Sequence, residues 1–384
     1  MAVNAIRNPV LAKRDSTVVA VLLLGLFESI SSRHIGLLAW KSHTEGAIRL
    51  VQDRGPEQLK TKQGKDIFVS VRTQYIIHAF SSGQLPSLGT EFWIKGATKD
   101  RFGTECQRIT LLITEIKTEA NRRLAMLHRS PENIAAIRDL MRQCQARDRD
   151  LINWSRSLPQ YFHCKGVAWE SSLPDGDFFK AEVYPGRVDA FEDLWVASLW
   201  NTMRCARIAL ASIIVRSSAW LCAPLDYRTT PEYATCSQTC INLITDIIAS
   251  IPYQLGWFSK RKDRLQRASL TGYGCGEDDS EKGLAGYFVT WPLSCVLTQD
   301  YSSDSQKAWV KGRLNYVATG LGVRYAKMLT QLTIRIPSML IKRDAMAASG
   351  LEDTSSVDFE KILSNRIVAF SSMSISSTSG SIQM

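Results

Sequence analysis

The residues of this chain that are most able to do chemistry are its five histidines and nine cysteines. The histidines are His34, His43, His78, His128 and His163. No two of them have the four-residue spacing with which imidazoles on one helix face hold a metal. His163 precedes Cys164 directly, but neighbours in a loop need not face each other, so a thiol–imidazole pair is the weaker interpretation. We therefore predict no metal site and no cofactor, and these residues favour a non-catalytic protein over an enzyme.

The number of cysteines is odd, and no two of them form a Cys-x2-Cys pair. This pattern predicts free thiols in a reducing compartment and excludes a zinc module built on that pair. Cys236 and Cys240 lie four residues apart on a stripe with Leu243 and Ile247, so we expect them to be small core residues. The signatures of serine hydrolases, dinucleotide-binding folds, P-loop proteins and kinases are absent from the sequence.

The elements that would position any functional side chain are helices, and the longest predicted helix runs from Val188 to Ala219. Its apolar residues recur at three- and four-residue steps on one face, while Trp200, Arg204 and Ile208 fall on the opposite side. A helix that is apolar on two faces belongs at the centre of a bundle. Because a buried guanidinium is costly unless it is paired, Arg204 and Arg207 should meet carboxylates or carbonyls, or reach a polar cavity.

Composition places the 384-residue chain among ordinary globular proteins, with 45% hydrophobic and 22% charged residues. The formal net charge of +10 favours acidic partners, but the basic residues are scattered, as on a solvated surface. The apolar run from Val18 to Phe27 is too short to span a bilayer, and we interpret it as a buried helix. We predict no association with a membrane.

Helical periodicity continues through most of the remaining chain, and few strand-like alternations occur. Predicted helices cover residues 16–31, 35–54, 65–79 and 309–332, and two others begin at Ser130-Pro131 and Thr230-Pro231, where a capping side chain precedes a proline. A loop is expected up to about Gly103, and residues 154–187 are expected to be irregular and rich in aromatic side chains.

The predicted fold class is therefore all-α, a multi-helix bundle around the central helix at 188–219. We expect three parts: a disordered N-terminus at 1–15, a helical domain at 16–344, and a serine-rich, weakly ordered tail at 345–384.

Several stretches, in order along the chain, resemble the fungal-specific transcription factor domain, the regulatory region that follows a Zn2Cys6 cluster in many fungal regulators. The similarity spans about residues 16–335. The segments that carry it are VAVLLLGLFESI at 19–30, LLAWKSHTEGAIRLVQDRG at 37–55, DIFVSVRTQ at 66–74, INWSRSLP at 152–159, DLWVASLWNTMRCARI at 193–208, YFVTWPLSCVL at 287–297 and GLGVRYAKML at 320–329.

The sequence departs from this family in lacking the six-cysteine cluster that binds DNA, and the similarity begins inside the domain. We therefore expect a fragment-like relative or a protein with another role, and no specific DNA binding by this chain alone. The resemblance implies a nuclear location, with the cytoplasm as the alternative. It also leads us to expect an exposed apolar surface on the first helix, where the family's earlier helices pack, and hence a homodimer or a protein partner.

Two functions are compatible with this sequence. The first is a transcription-regulator-like protein that controls a fungal, secondary-metabolic gene cluster through its helical domain, with a small-molecule effector as a further predicted partner. The second is a stand-alone enzyme or small-molecule-binding protein, in which Trp40, His43, Trp200 and Arg204 would line a cavity. The full set of ligand-binding or structural core candidates is Trp40, His43, Arg54, Trp200, Asn201, Arg204, Arg207 and Trp291.

Overall fold

A computed structural model describes residues 7–31, 36–82, 91–94, 100–171, 173–267 and 281–348. Nearly all of the regular structure in this part is helical, which confirms the predicted all-α class. The α-helices are α1 (Pro9–Ala12), α2 (Asp15–Ser31), α3 (Gly36–Arg54), α4 (Lys62–Ser82), α5 (Glu91–Ile94), α6 (Arg101–Met126), α7 (Pro131–Ser157), α8 (Leu194–Cys222), α9 (Pro231–Gln254), α10 (Lys262–Arg267), α11 (Glu281–Thr298), α12 (Asp304–Thr319), α13 (Tyr325–Leu329) and α14 (Ser338–Ala348). The strands are β1 (Lys165–Glu170) and β2 (Gly186–Ala190), which pair antiparallel.

The central helix is α8, and 20 of its 29 residues are buried. It packs against α6, α7, α9, α11 and α14, so it has neighbours on every side, as its two apolar faces predict. By length and composition, α8 is the one helix in the described ranges that could cross a membrane, but 67% of its apolar window is buried inside the protein. A core helix passes the same test, so this is weak evidence for a membrane span.

The predicted start of the central helix at Val188 is wrong. Val188 lies in β2, where it pairs with Ala168 of β1, and the helix begins only at Leu194. The Asp193 side chain accepts a hydrogen bond from the backbone N–H of Val196 and caps the helix. Val188 and Phe191 are nevertheless fully buried, so their apolar spacing reflects burial rather than helix.

Local capping signals fix several helix starts where the sequence predicts them. Ser130 caps α7 with Pro131 in the first helical position, and Thr230 caps α9 in the same way before Pro231. Proline costs little there because the first N–H groups of a helix have no partner within the helix.

The predicted helix at 309–332 is also wrong, since it is divided in two. α12 ends at Thr319, and Gly322 has a φ of +79°, a left-handed conformation that favours glycine and interrupts the helix before α13. The region predicted to be irregular, 154–187, contains the last turn of α7 and the strand β1, while the loop predicted before Gly103 contains the short helix α5.

Both terminal segments of the predicted domain organisation lie partly outside the described residues. Within the N-terminal segment 1–15 the structure has α1, and α14 extends the helical domain four residues past the boundary predicted at 344. Residues 1–6 and 349–384 are not described.

Candidate functional site

The polar residues of α8 form a buried cluster with α9. The Asn201 amide donates hydrogen bonds to Ser250 Oγ and to Gln254 Oε1, both at 2.9 Å. Arg204 Nη1 donates to Asn201 Oδ1, also at 2.9 Å, so the guanidinium extends the same network. All four side chains are buried, and each bond offsets part of the desolvation of its partner. We call these four residues the Asn201 cluster.

Aromatic rings and a thiol complete the surroundings of Arg204. Its guanidinium carbon lies 5.5 Å from the centre of the Trp200 ring and 6.0 Å from that of Phe191, within the range of cation–π attraction. Trp200 Nε1 donates to the Phe162 carbonyl at 2.7 Å. Arg204 Nη2 is 4.0 Å from the sulfur of Cys164. The predicted need of Arg204 for a partner is therefore met by an amide and by rings rather than by a carboxylate.

The pair His163 and Cys164 is not arranged for nucleophilic catalysis. His163 Nε2 lies 3.1 Å from the Leu158 carbonyl, and its ring packs against Trp200. Burial raises the pKa of the Cys164 thiol, and the nearby Arg204 only partly opposes this effect. A thiol with a raised pKa is a poor nucleophile at neutral pH. His163 and Cys164 therefore contribute to packing rather than to catalysis.

Arg207 meets a carboxylate, as predicted. Its guanidinium donates to the two carboxylate oxygens of Asp148 in α7, at 2.7 and 3.3 Å. The pair borders a cleft of about 350 Å³ between α7 and α9, which Cys236 also lines. Burial raises the pKa of the Cys236 thiol to about 12, and Cys240 is fully buried beside it, which confirms that both cysteines are core residues.

A larger cavity of about 430 Å³ lies between α2 and the helical body, and we call it the α2 groove. Most of its lining is apolar. The residues that line it are Val19, Val21, Leu22, Leu23, Gly25, Leu26, His43, Thr44, Asp66, Ile67, Val69, Ser70, Thr73, Gln74, Trp195, Leu284, Tyr287 and Phe288.

A few polar groups are fixed by hydrogen bonds at the floor of the α2 groove. Tyr287 Oη donates to Gln74 Oε1 at 2.6 Å, and Gln107 Nε2 donates to Thr73 Oγ1 at 3.1 Å. Trp195 Nε1 donates to Asp100 Oδ2 at 2.8 Å, which holds the indole at the edge of the groove. An apolar cavity with a few oriented polar groups is the usual form of a binding site.

The outer face of α2 carries large apolar side chains into solvent. Leu23 is 58% exposed and Phe27 is 59% exposed. Val19, Leu24, Leu26 and Ile30 are also exposed, whereas Val18 and Val21 are buried on the side that packs against α3. The expected apolar surface on the first helix is therefore present. The prediction that all of 18–27 forms a buried helix is wrong, because these large apolar side chains of α2 are exposed.

The remaining candidates are dispersed. Arg54 forms an ion pair with Asp15 between α3 and α2. Trp291 packs its ring 5.4 Å from that of Phe80. Position 40 lies in α3, but its side chain is outside the described part of the structure.

The structure does not place the predicted cavity residues at one site. His43 lines the α2 groove, whereas Trp200 and Arg204 belong with the Asn201 cluster, so the expected shared cavity is wrong for these three residues. Gln74 and Tyr287 were not predicted as groove residues, because they are 213 positions apart and no local pattern connects them. In the described part of the chain, no group of three or more His, Cys, Asp or Glu side chains is placed to hold a metal ion.

Comparison with known proteins identifies one informative similarity. The chain is 27% identical over 257 residues to the transcription factor dbaG of Emericella nidulans. The match covers 66% of this chain and 56% of that protein, so it spans little more than half of the relative's length. No protein family model matches the chain, and no solved structure does.

Proposed function

We propose that this chain is a transcription-regulator-like protein that controls a fungal, secondary-metabolic gene cluster from the nucleus. It acts through its helical domain and protein contacts rather than by touching DNA. The observation that carries the proposal is the 257-residue match to a transcription factor. The segments that resemble the regulatory domain of fungal regulators, which follow one another along the chain, support the same proposal.

Two structural features support action by protein contact. Three polar side chains of α8 form hydrogen bonds with other residues of the same chain. Asn201 and Arg204 do so in the Asn201 cluster, and Arg207 does so with Asp148. The exposed apolar face of α2, by contrast, offers side chains of the kind that interfaces bury. A homodimer or another protein of the transcription machinery would bury this face.

A small-molecule-binding role is the second candidate, and the α2 groove is the observation that favours it. A volume of about 430 Å³ is within the range of ligand pockets, and Asp66, Gln74 and His43 supply polar groups among apolar ones. The same groove would hold a mostly apolar effector of a regulator, or the substrate of an enzyme on this scaffold. Native mass spectrometry of the chain purified from its own host tests this role, since a bound small molecule would appear as a mass increment.

The regulatory proposal is tested by deleting the gene and sequencing transcripts. Coordinated loss of the transcripts of neighbouring biosynthetic genes is expected, together with a nuclear signal from a fluorescently tagged chain. Unchanged transcripts in the deletion strain would contradict the proposal.

A mobility-shift assay with the purified chain tests the part of the proposal that concerns DNA. The net charge of +10 can supply only salt-sensitive attraction to any duplex, so promoter and scrambled DNA should be retained equally, and weakly at physiological salt. Preferential retention of one promoter sequence would show direct recognition instead.

A further inference from the structure

The segment that connects α9 with α10 is anchored in the protein by two aromatic residues. Trp257 is 7% exposed and Phe258 is 1% exposed. Gly256 has a φ of +83°, a left-handed conformation that turns the chain just after α9. The Phe258 carbonyl accepts a hydrogen bond from the backbone N–H of Arg261 at 2.8 Å. The residues that follow the two anchors therefore form a tight turn against the body of the protein.

Basic side chains project from this turn. Between positions 260 and 264 the sequence has four basic residues and one acid. Lys260 and Lys262 are exposed. The guanidinium carbons of Arg261 and Arg264 lie 4.4 and 5.1 Å from the centre of the Trp257 ring, within the range of cation–π attraction. Arg261 Nη1 also donates to the Trp257 carbonyl at 2.8 Å. We call these four basic residues the basic turn.

The charge of the basic turn is not balanced by neighbouring carboxylates. Neither Lys260 nor the two arginines of the turn form an ion pair with another described residue. The basic residues Arg122 and Arg123 of α6 differ, because both of them pair with Glu119. Like charges that are held together without a counter-charge repel each other, so the basic turn is suited to an anionic partner.

We propose that the basic turn is an import signal, which a carrier protein with an acidic binding surface recognises in order to take the chain into the nucleus. Segments of five to eight residues that are rich in Lys and Arg serve as such signals, and KRKDR at 260–264 has this form. The six-residue helix α10 is too short to be stable by itself, so the segment can straighten on the carrier at small cost. The inference rests on the nuclear location in the proposed function.

An acidic protein surface fits the basic turn better than a DNA duplex does. A protein that binds a duplex through its backbone typically contacts about 6–10 phosphates, which is more than four side chains in one turn supply. The ring of Trp257 is buried, so it is not available to stack on an unpaired base either. Charge complementarity over a small surface is, by contrast, a common basis for selecting a protein partner.

Localisation of the full chain in its host, fused to a fluorescent tag too large for passive entry, tests this proposal. Lys260→Ala with Lys262→Ala removes two exposed charges and leaves Trp257 with its two arginines in place. The matched control is Arg138→Ala with Arg156→Ala, which removes two exposed charges from α7. The nuclear-to-cytoplasmic ratio of fluorescence should fall about fivefold or more in the first variant, the effect of losing two exposed charge pairs, and stay unchanged in the control.

A charge-preserving variant and a binding assay complete the test. Lys260→Arg with Lys262→Arg should keep the ratio of the unmodified chain, and the purified import carrier of the host should bind the purified full-length variants in the same order. All variants should melt at the temperature of the unmodified chain, because only exposed side chains are changed.

Several results would overturn the import signal. These are an unmodified chain that stays outside the nucleus, an equal ratio in the unmodified chain and the alanine variant of the turn, and an equal loss in the control. Equal binding of the carrier by both chains, with weaker retention of duplex DNA by the alanine variant alone, would assign the turn to DNA and would overturn it as well. Unchanged transcripts in the deletion strain would contradict the proposed function but not the import signal, so the two proposals can fail separately.

Discussion

The buried ion pair between Arg216 and Asp344 gives the sharpest prediction about stability. Arg216 Nε and Nη2 donate to the two carboxylate oxygens of Asp344 at 2.9 and 3.1 Å, and both side chains are at most 6% exposed. Burial lowers the pKa of Arg216, and the Asp344 carboxylate opposes this shift. The pair joins α14 to the central helix α8 and so fixes the end of the described chain.

Asp344→Ala should lower the free energy of unfolding by about 3–5 kcal/mol, because it leaves a buried guanidinium without its carboxylate. Asn121 would remain as a neutral acceptor at 2.8 Å, which favours the lower part of that range. Urea unfolding followed by tryptophan fluorescence measures the change, provided that the slope of the transition is the same in both proteins.

Two further variants distinguish the loss of the buried ion pair from a general effect of removing a charge. Asp139→Ala removes an exposed carboxylate that pairs with Arg142 and should leave the urea midpoint of unfolding nearly unchanged, because solvent screens such a pair. Arg216→Met combined with Asp344→Leu replaces both charges by apolar groups and should recover most of the loss. A cost below about 1 kcal/mol for Asp344→Ala, or no recovery in the double variant, would refute the assignment of this pair to the buried core.

Three further predictions concern the core, acid stability and thiol reactivity. Leu199→Ala should cost about 2–5 kcal/mol because Leu199 is 2% exposed on α8, and an unchanged melting temperature would contradict this burial. A hydrogen bond from Arg122, and then one from Arg123, lowers the pKa of Glu119 to about 2. Its contribution to stability should therefore be present above pH 4.5 and be lost as the pH falls toward 2, and Glu119→Gln should flatten this part of the stability profile. Burial raises the pKa of Cys164, so iodoacetamide should alkylate it more slowly at pH 7.5 than it alkylates a free cysteine peptide, and a rate equal to that of the peptide would argue for an exposed thiolate.

The features that were predicted well from the sequence depend on residues that are neighbours in the chain. Ser130 and Thr230 cap helices whose first residue is proline, and both signals lie within four residues of the helix start. The burial of α8 follows from its apolar residues on both faces, which need no knowledge of their partners. Such local signals do not depend on how the chain folds back on itself.

The features that sequence did not predict depend on distant residues. Val188 has the spacing of a helix, but pairing with β1 makes it part of a strand. Arg216 is bonded to Asp344 across 128 positions, and no local pattern selects that carboxylate over others. The run VAVLLLGLFESI is apolar all around, so its sequence cannot indicate which side of α2 packs against α3 and which side faces solvent.

We propose that the chain regulates transcription through the exposed face of α2. Transcript abundance of the controlled gene cluster tests it most directly, in a strain whose only copy carries Leu23→Ser and Phe27→Ser. Because both side chains are exposed, the variant should accumulate to the normal level and enter the nucleus, yet the cluster transcripts should fall to the level of the deletion strain. Normal transcript levels in this strain would contradict the claim.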